Sequence, residues 1–413
     1  MDRGEGRIMD ERARRLHTVL GDSGRSVFAL DPAVRHINHG SYGASPRVTL
    51  EYQAQLKAAL DANPMRWFET LPPRHAAVRD ELAQFLRVPS STLAWVPNAS
   101  AASTVVFSSL ELDAGDEVIV TDHAYGAVAQ GVTRLVERRG AHVVTVGVPL
   151  SAGEEQTRAL ILDAVTPRTR VVMLDQISSA TARRFPVDAV ADALADTGIL
   201  LVIDGAHGLG LLEDPVVSGD HVVWFGNLHK YACGPRGAAV LAARGDVAQR
   251  LWPAIDSWGA AEPFPQRFDL QGSLDSTAFL SAAHAIRTMA TAFGGWSPIR
   301  EHSAVLGRYG ADLLITALGP ISDDDPAIDV GMPVAQQPLV RLPRGAAHDG
   351  RSARSLKDAF AEDGFEVGVS TFGGRGYVRI SAHAYSEAED FEAFAERAPR
   401  IIADTVAAHS PAR

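Results

Sequence analysis

The chain has 413 residues, a formal net charge of −11 and a single cysteine. Its length allows either one large α/β unit or a large domain with a smaller companion. The negative charge argues against binding to nucleic acid or to an anionic membrane, so we expect a small-molecule partner. A lone cysteine excludes an intrachain disulfide and a multi-cysteine zinc site, and we predict no metal and a reducing, cytoplasmic location. The amino-terminal segment MDRGEGRIMDERARRLHTVL is highly charged, lacks the apolar stretch of a secretory signal and predicts a helix.

Short apolar runs rich in β-branched residues alternate with helical patterns through the middle of the chain. The predicted strands are residues 93–98, 116–122, 141–148, 170–178, 199–205 and 221–227. Helical patterns such as AYGAVAQGVTRLVERRG and PVDAVADALADTG end at glycine, as helices often do. This alternation predicts an α/β fold with a doubly wound, mostly parallel sheet, whose ligand lies at the carboxyl ends of the strands. The polar residues at those ends are Asn98, Asp122, Asp175, Asp204 and Asn227.

The sequence changes in character beyond about residue 290, where a long helical stretch precedes two strand-like pieces, QPLVRLP and GYVRISAHAY. The last helix is predicted to start at SEAE, because Ser386 and Glu389 have the spacing of a capping box. We therefore predict a large cofactor-binding domain over residues 47–290 and a smaller α+β domain over residues 291–413. Residues 1–46 are expected to join the smaller domain.

Lys230 lies between the apolar strand HVVWFGNL and the turn ACGPRG. Most lysines are solvated at the surface, but a lysine between a buried strand and a tight turn is expected to face a pocket. Partial burial keeps a fraction of such an amine neutral and nucleophilic, as in lysines that form Schiff bases. The residue type and its position thus indicate covalent chemistry.

Asp204 ends the apolar run LLVID, one strand before Lys230. Pyridoxal phosphate requires an amine for a Schiff base and a carboxylate that keeps its pyridine nitrogen protonated. A carboxylate about 4 Å from the pyridinium contributes about 4 kcal/mol at an effective dielectric constant of about 20. The alternative for Asp204 is a cap on the turn GAHGLG that follows it.

Several motifs resemble, in their order along the chain, those of the class V aminotransferase family. They are NHGSYGASP at residues 38–46, DGAHGLG at 204–210, GNLHKYACGPRGAAVL at 226–241 and GYVRIS at 376–381. The likeness covers roughly residues 36–385 and is nearest to the isopenicillin N epimerase-like branch, which includes C–S lyases. It implies the fold of a fold-type I enzyme dependent on pyridoxal 5'-phosphate, with a large α/β domain and a smaller α+β domain.

The resemblance implies roles for residues around the cofactor. Lys230 matches the Schiff-base lysine, Asp204 the partner of the pyridine nitrogen, and His207 a residue near the phenolic oxygen. The residues that match phosphate-binding positions are Asn227, His229, Ala99 and Ser100. Ala99 and Ser100 begin the helix in NASAAS, and free backbone amides at a helix amino terminus attract anions.

Two further positions near the cofactor follow from the same resemblance. In TDHAYGAV the ring-stacking residue is either His123 or Tyr125, and we favour Tyr125. In DQISSAT the contact to the cofactor oxygen falls on Ser179, where many relatives have asparagine.

Arg379 matches the arginine that binds the α-carboxylate of the substrate, a role that a planar guanidinium fills better than an ammonium group. Asn38, His39 and Tyr42 match the amino-terminal segment that closes over the same carboxylate. Ser273 in QGSLD replaces the usual threonine of a loop that reaches the phosphate of a neighbouring subunit. This match implies a homodimer with shared active sites.

The resemblance implies an enzyme that acts on an amino acid, and C–S bond cleavage by β-elimination of an S-substituted L-cysteine conjugate in specialised metabolism is the favoured reaction. This branch is similar to enzymes that trim cysteine conjugates in the assembly of lincosamide antibiotics. The alternatives are decarboxylation-dependent oxidative deamination of such a conjugate to an aldehyde, epimerisation and transamination. Cysteine desulfurases of this class carry a cysteine shortly before the carboxylate-binding arginine, where this chain has VGVSTFGGRGYVR, so persulfide chemistry is not expected.

The sequence gives less support to functions from other classes of protein. No strand is followed by G-x-G-x-x-G and no G-K-[ST] loop occurs, which argues against a nucleotide-dependent enzyme. A cofactor-binding sensor is a further alternative, although the short amino-terminal segment is too small for a DNA-binding module.

Overall fold

The computed structural model of the protein describes residues 13–409. Within this range the strands are Arg35–His36 (β1), Leu93–Val96 (β2), Glu117–Thr121 (β3), His142–Val146 (β4), Thr169–Asp175 (β5), Leu200–Asp204 (β6), Val222–Asn227 (β7), Ala239–Ala243 (β8), Leu339–Arg341 (β9), Phe365–Glu366 (β10), Gly368–Phe372 (β11) and Arg375–Arg379 (β12). The helices are His39–Tyr42 (α1), Arg47–Ala62 (α2), Pro64–Glu69 (α3), Leu71–Leu86 (α4), Ala99–Ser109 (α5), Gly126–Glu137 (α6), Glu154–Asp163 (α7), Val187–Leu194 (α8), Gly245–Arg250 (α9), Thr277–Phe293 (α10), Ser297–Leu318 (α11), Gly350–Glu362 (α12) and Ala388–His409 (α13).

The chain divides into two units of dense internal contact. Among the described residues, the larger unit contains residues 40–288 and 329–334, and the smaller unit contains residues 13–39, 289–328 and 335–409. The divisions after residues 39 and 288 fall near the predicted boundaries after residues 46 and 290. The short segment 329–334 returns to the larger unit, a feature that no composition change in the sequence indicates.

The larger unit is built on a seven-stranded sheet with the order β2-β8-β7-β6-β5-β3-β4. The strands from β7 to β4 are parallel, whereas β8 runs antiparallel to both of its neighbours. Every residue of β3 and β7 is buried, which explains why their sequences are apolar without alternation. The parallel order places the carboxyl ends of β5, β6 and β7 side by side at one edge of the sheet.

Strand β8 has no counterpart among the predicted strands. Its sequence AVLAA is mostly alanine, and alanine has a low preference for strands. The strand forms because it pairs with β7 on one side and with β2 on the other, and all of its residues are buried. Tertiary pairing therefore overrides a weak local preference here.

The smaller unit combines an antiparallel sheet of order β11-β12-β9 with a two-stranded parallel pair of β1 and β10. Helix α11 packs against α13, and both are 22 residues long. Their buried faces join β9 and β12 in one apolar core that includes Leu306, Val340 and Phe391. Among the helices of residues 13–409, none combines the length and the apolar character needed to cross a membrane.

At the ends of this unit one prediction is wrong, and a second is wrong for the residues that the structure describes. The last helix begins at Ala388, and Ser386 does not form the predicted capping box: its hydroxyl accepts a hydrogen bond from the backbone of His383, while Asp390 Oδ2 accepts from the backbone of Glu387. Of the predicted amino-terminal helix, residues 1–12 lie outside the described residues, and residues 14–20 form bends, turns and isolated bridges.

Candidate active site

A cavity lies at the edge of the large sheet where β5, β6 and β7 end, since the last residue of each strand lines it. Its empty volume is about 600 Å³, including the part open to solvent. The lining residues all belong to the larger unit: Ser41, Tyr42, Asn98, Ala99, Ser100, Tyr125, Asp175, Ile177, Ser179, Asp204, Ala206, His207, Asn227, His229 and Lys230.

Lys230 reaches the cavity from the tight turn that follows β7. Its Nζ lies 2.8 Å from His207 Nε2, and the side chain is half-buried. The turn is fixed by the backbone hydrogen bond from Gly234 to the carbonyl of Leu228 and by Cys233, which has a left-handed φ of 58°. A lysine held in this way can present its amine to a ligand in the cavity.

Asp204 and Asp175 are the acids of the cavity. Asp204 Oδ1 accepts a hydrogen bond from the backbone amide of Ala206 at 2.9 Å, so the capping contact forms while the residue still lines the cavity. Burial raises the pKa of Asp204. Burial and the charge of Asp204 together raise the pKa of Asp175 well above its usual value. A cationic partner in such a site strongly favours the ionised form of the acid.

The predicted phosphate-binding residues meet at the amino end of α5. Asn227 Oδ1 accepts a hydrogen bond from the backbone amide of Ala99 at 3.0 Å, and Asn98 caps the helix by accepting from Ala101. The prediction of a free amide at Ala99 is therefore wrong, because Asn227 uses that donor. Burial and the nearby charges of Lys230 and Arg236 lower the pKa of His229 to about 4, which keeps its ring neutral near pH 7.

The structure separates the two candidates for ring stacking. His123 is buried behind the cavity, where its ring nitrogens contact Thr181 Oγ1 at 2.7 Å and the carbonyl of Val148 at 2.8 Å. Tyr125 directly precedes α6, lines the cavity and leaves 45% of its surface exposed. The position therefore favours Tyr125 over His123 as the residue that contacts a ring.

Of the other site residues predicted for the larger unit, some line the cavity and one does not. Ser179, Ser100 and Tyr42 line the cavity, and Tyr42 is 66% exposed. Ser273 is exposed and does not line it; the neighbouring Gly272 packs near Ile255. The predicted contact of Ser273 with a second subunit stays a prediction.

Arg379, Asn38 and His39 belong to the smaller unit. Arg379 ends β12 with 5% exposure, and its Nη2 donates a hydrogen bond to Asn38 Oδ1 at 3.0 Å. His39 is buried, stacks on His383 with a ring separation of 3.9 Å and contacts the hydroxyl of Tyr385. Asn38 and His39, which begin the NHGSYG motif, thus lie near Arg379 within this unit.

The sequence assigned no role to five of the residues that line the cavity, namely Ser41, Asn98, Asp175, Ile177 and Ala206. Asp175 had the clearest signal, because it ends an apolar strand in the same way as Asp204. Ser41 lies within the NHGSYG motif, and only the fold shows that this residue lines the cavity.

Comparison with known proteins places this chain in a family. The model of the family "Aminotransferase class-V" matches residues 48–262. The chain belongs to the class V aminotransferase family, and its cofactor is pyridoxal phosphate. The chain is 27% identical over 395 residues to isopenicillin N epimerase from Streptomyces clavuligerus, covering 91% of this chain and 96% of that protein. It is 23% identical over 390 residues to hercynylcysteine sulfoxide lyase from Schizosaccharomyces pombe, covering 91% and 96%.

The fold is also found among solved structures. A cysteine desulfurase from Escherichia coli has a TM-score of 0.72 with this chain, at 20% identity, covering 92% of this chain and 97% of that one. The predicted fold class, that of fold-type I enzymes with a large mostly parallel sheet and a smaller domain, is confirmed.

The cavity residues fit pyridoxal phosphate. The group requires an amine, an acid for its pyridine nitrogen and donors for its phosphate. The cavity provides Lys230, the buried Asp204 and, among its lining residues, the ring of His229 and Ser100 at the amino end of α5. Within residues 13–409 no group hydrogen-bonds to the buried His229 Nδ1.

Proposed function

We propose that this enzyme cleaves the C–S bond of an S-substituted L-cysteine conjugate by β-elimination, in specialised metabolism. The observation that carries the proposal is the single cavity in which Lys230, His207 and Asp204 come together. The relative named hercynylcysteine sulfoxide lyase, aligned over nearly its whole length, supports a substrate with a substituted sulfur.

Lys230 Nζ is proposed to carry the cofactor covalently and, after the substrate amine displaces it, to take the α-proton. Bound pyridoxal phosphate supplies an electron sink for the pair left behind when that proton is removed. His207 Nε2, 2.8 Å from Lys230 Nζ, orients the amine. Asp204 would hold the proton on the pyridine nitrogen, while His229, Asn227 and Ser100 would hold the phosphate end. The pair left at Cα would then form a Cα–Cβ double bond as the Cβ–S bond breaks, and the Cβ–S pair would leave with the sulfur as a thiolate. Water would hydrolyse the released 2-aminoacrylate to pyruvate and ammonia.

The only cysteine of the chain does not suit a desulfurase. Cys233 is fully buried, and burial raises the pKa of its thiol far above the usual value. A thiol in this state is a poor nucleophile, because the reactive form is the thiolate. The hairpin of β11 and β12, which precedes Arg379, contains no cysteine. We therefore expect the sulfur to stay bonded to its substituent when it leaves Cβ, with no transfer to a protein thiol.

Arg379 is proposed to bind the α-carboxylate of the substrate. It is buried in β12, and a buried guanidinium is compensated by a carboxylate that it can bind through two parallel hydrogen bonds. Its contact with Asn38 fixes the orientation of the guanidinium group. Asn38 and His39 are proposed to complete the carboxylate site.

Epimerisation is the second candidate, favoured by the alignment with isopenicillin N epimerase over 91% of this chain. It would begin with the same removal of the α-proton by Lys230. The two reactions then diverge, since an epimerase returns a proton to the opposite face of Cα and leaves the side chain intact. The sulfur substituent stays attached in one case and is released in the other.

Incubation of the purified enzyme with a panel of cysteine S-conjugates tests the proposal. Mass spectrometry is expected to find pyruvate, ammonia and the free thiol in equal amounts. An aldehyde with carbon dioxide would instead mean oxidative decarboxylation, and an inverted substrate would mean epimerisation. Either of these results without pyruvate would contradict the proposed lyase, and Lys230→Ala is the control that separates enzymatic from spontaneous release.

We also propose that the enzyme is a homodimer. The larger unit exposes several large apolar side chains, including Trp258 at 90% and Met65 at 75%. Isolated apolar residues are common at surfaces, but an exposed indole is typical of an interface. The predicted intersubunit loop around Ser273 lies next to the exposed Ile255, which supports a second copy as the partner.

A further inference from the structure

Asp175 ends β5 directly beside Asp204, which ends β6, and the two residues are register partners in the sheet. Side chains of residues paired across neighbouring strands project to the same face of a sheet. Both residues line the cavity, and each is only 3% exposed. The cavity thus contains two adjacent acids, although only Asp204 has been given a role.

The surroundings of the two acids differ. Asp204 Oδ1 accepts a hydrogen bond from the backbone amide of Ala206, which favours the charged form of that carboxyl group. In the described part of the chain, no group hydrogen-bonds to the buried Asp175 Oδ1. The backbone amide of Tyr125, just before α6, hydrogen-bonds to Asp175 and lowers the pKa of its carboxyl group, as the charge of Lys230 after β7 also does, whereas burial and the charge of Asp204 on β6 raise that pKa more strongly.

We propose that Asp175 is a positioning residue that stays protonated beside the Asp204 carboxylate, so that the two acids present a single negative charge to the pyridine nitrogen of the cofactor. Two carboxylates in one buried site repel each other, and one of them retains its proton. Because Asp175 Oδ1 has no hydrogen-bond donor within the described residues, whereas Asp204 Oδ1 accepts from the amide of Ala206, the proton is assigned to Asp175; burial and the charge of Asp204 act in the same direction. Its O–H group can then donate to the Asp204 anion without adding a second charge. The inference rests on the proposed role of Asp204.

Infrared difference spectroscopy of the holoenzyme tests the protonation state directly. The carbonyl stretch of a protonated carboxyl group lies apart from the amide bands and shifts in heavy water. Subtracting the spectrum of Asp175→Asn from that of the wild type at neutral pH is expected to show one such band. Asp116→Asn is a matched control, because Asp116 is also buried but lies at the opposite end of the sheet, before β3. If no band disappears with Asp175→Asn, or if Asp204→Asn removes it instead, the proposal is overturned.

The dissociation constant of pyridoxal phosphate, measured by titration of the apoenzyme, tests the positioning role. Asparagine is neutral and can donate a hydrogen bond, so the dissociation constant of Asp175→Asn is expected to stay within about threefold of the wild-type value. Asp175→Ala is expected to bind pyridoxal phosphate about tenfold more weakly than the wild type. Asp204→Asn is expected to weaken binding more than either. A loss with Asp175→Asn as large as that with Asp204→Asn would show that a charge at Asp175 is needed, and equal binding by Asp175→Ala and the wild type would show that it has no role.

Failure of the proposed function is distinguishable from failure of this inference. A wild-type protein without a visible cofactor band contradicts the proposed function before any variant is compared. A wild type that has the band, with an ionised Asp175, contradicts only the present inference.

Discussion

Substitution of Arg379 is expected to separate substrate binding from cofactor binding. Arg379→Lys keeps the positive charge but loses the planar fork, and we expect KM for the amino acid to rise by about tenfold or more, with a smaller change in kcat. The cofactor absorbance is expected to stay unchanged. Steady-state kinetics and an absorbance scan of the same preparation measure both quantities.

Arg375→Lys is the matched control, because Arg375 lies on the same strand and pairs with Asp324 at 2.7 Å. We expect this variant to retain the KM of the wild type. An equal rise of KM in both variants would show that the effect comes from a disturbed strand, and it would contradict a carboxylate-binding role for Arg379.

The identities of the central site residues could be predicted from the sequence, but their donors and acceptors could not. Lys230, Asp204 and His207 occur in ordered motifs, and the structure brings them together in one cavity. That Asn227 would occupy the amide of Ala99 depends on the distance between β7 and α5, which no local pattern encodes. The same holds for the pairing of Asp175 with Asp204, which appears only when β5 and β6 are in register.

At the scale of elements, the turn after α1 supports the segment that carries Lys230. Gly43 has a φ of +66°, and a Cβ atom there would lie 1.9 Å from the carbonyl oxygen of His229. Gly43→Ala must therefore displace the backbone of His229 and Lys230. We expect the affinity for pyridoxal phosphate to fall by at least about tenfold, because small displacements of reacting groups have large effects.

Gly115→Ala is the control for backbone strain. Gly115 has a φ of +90°, and a Cβ atom there would meet nothing within 4 Å. This variant is expected to lose about 1 kcal/mol of stability, as for alanine in a left-handed conformation, and to bind the cofactor normally. Cofactor titration and urea unfolding measure both effects. Equal cofactor affinity in the two variants would contradict the proposed support.

Strands with β-branched runs were predictable, whereas strands that depend on their partners were not. The predicted ranges for β2 to β7 overlap the observed strands, since each has a nearly continuous apolar sequence. Strand β8 is rich in alanine and forms because it pairs with β7. Strand β11 has the sequence GVSTF and forms because it pairs with β12, which follows it after a turn. The local pattern carries too little information for such strands.

At the scale of the whole molecule, a buried histidine makes stability depend on pH. His75 on α4 is fully buried against Trp95 and Phe279, and burial, with the nearby charge of Arg79, lowers its pKa from 6.5 to about 3. Between pH 6.5 and pH 3 the unfolded chain gains a proton that the folded chain does not. Stability from this group is therefore present above pH 6.5 and lost as the pH falls towards 3, by about 1.4 kcal/mol per pH unit at most.

His75→Leu is expected to reduce this pH dependence, whatever its effect on stability at pH 7. The free energy of unfolding, measured with urea at pH 7 and pH 5, gives the slope for each variant. His142→Leu, at an exposed position of β4, is the control and is expected to keep the slope of the wild type. A wild-type slope in His75→Leu would contradict the assignment of a neutral, buried ring.

The covalent attachment of the cofactor to Lys230 is the central claim, and reduction with borohydride followed by peptide mass mapping tests it most directly. The chain contains only three lysines, Lys57, Lys230 and Lys357, so the attachment point can be assigned without ambiguity. We predict that the visible band disappears on reduction, that the peptide containing Lys230 alone gains the mass of the reduced cofactor, and that Lys230→Ala shows neither change. A label on Lys57 or Lys357, or an unlabelled Lys230 peptide in protein saturated with pyridoxal phosphate, would contradict the account.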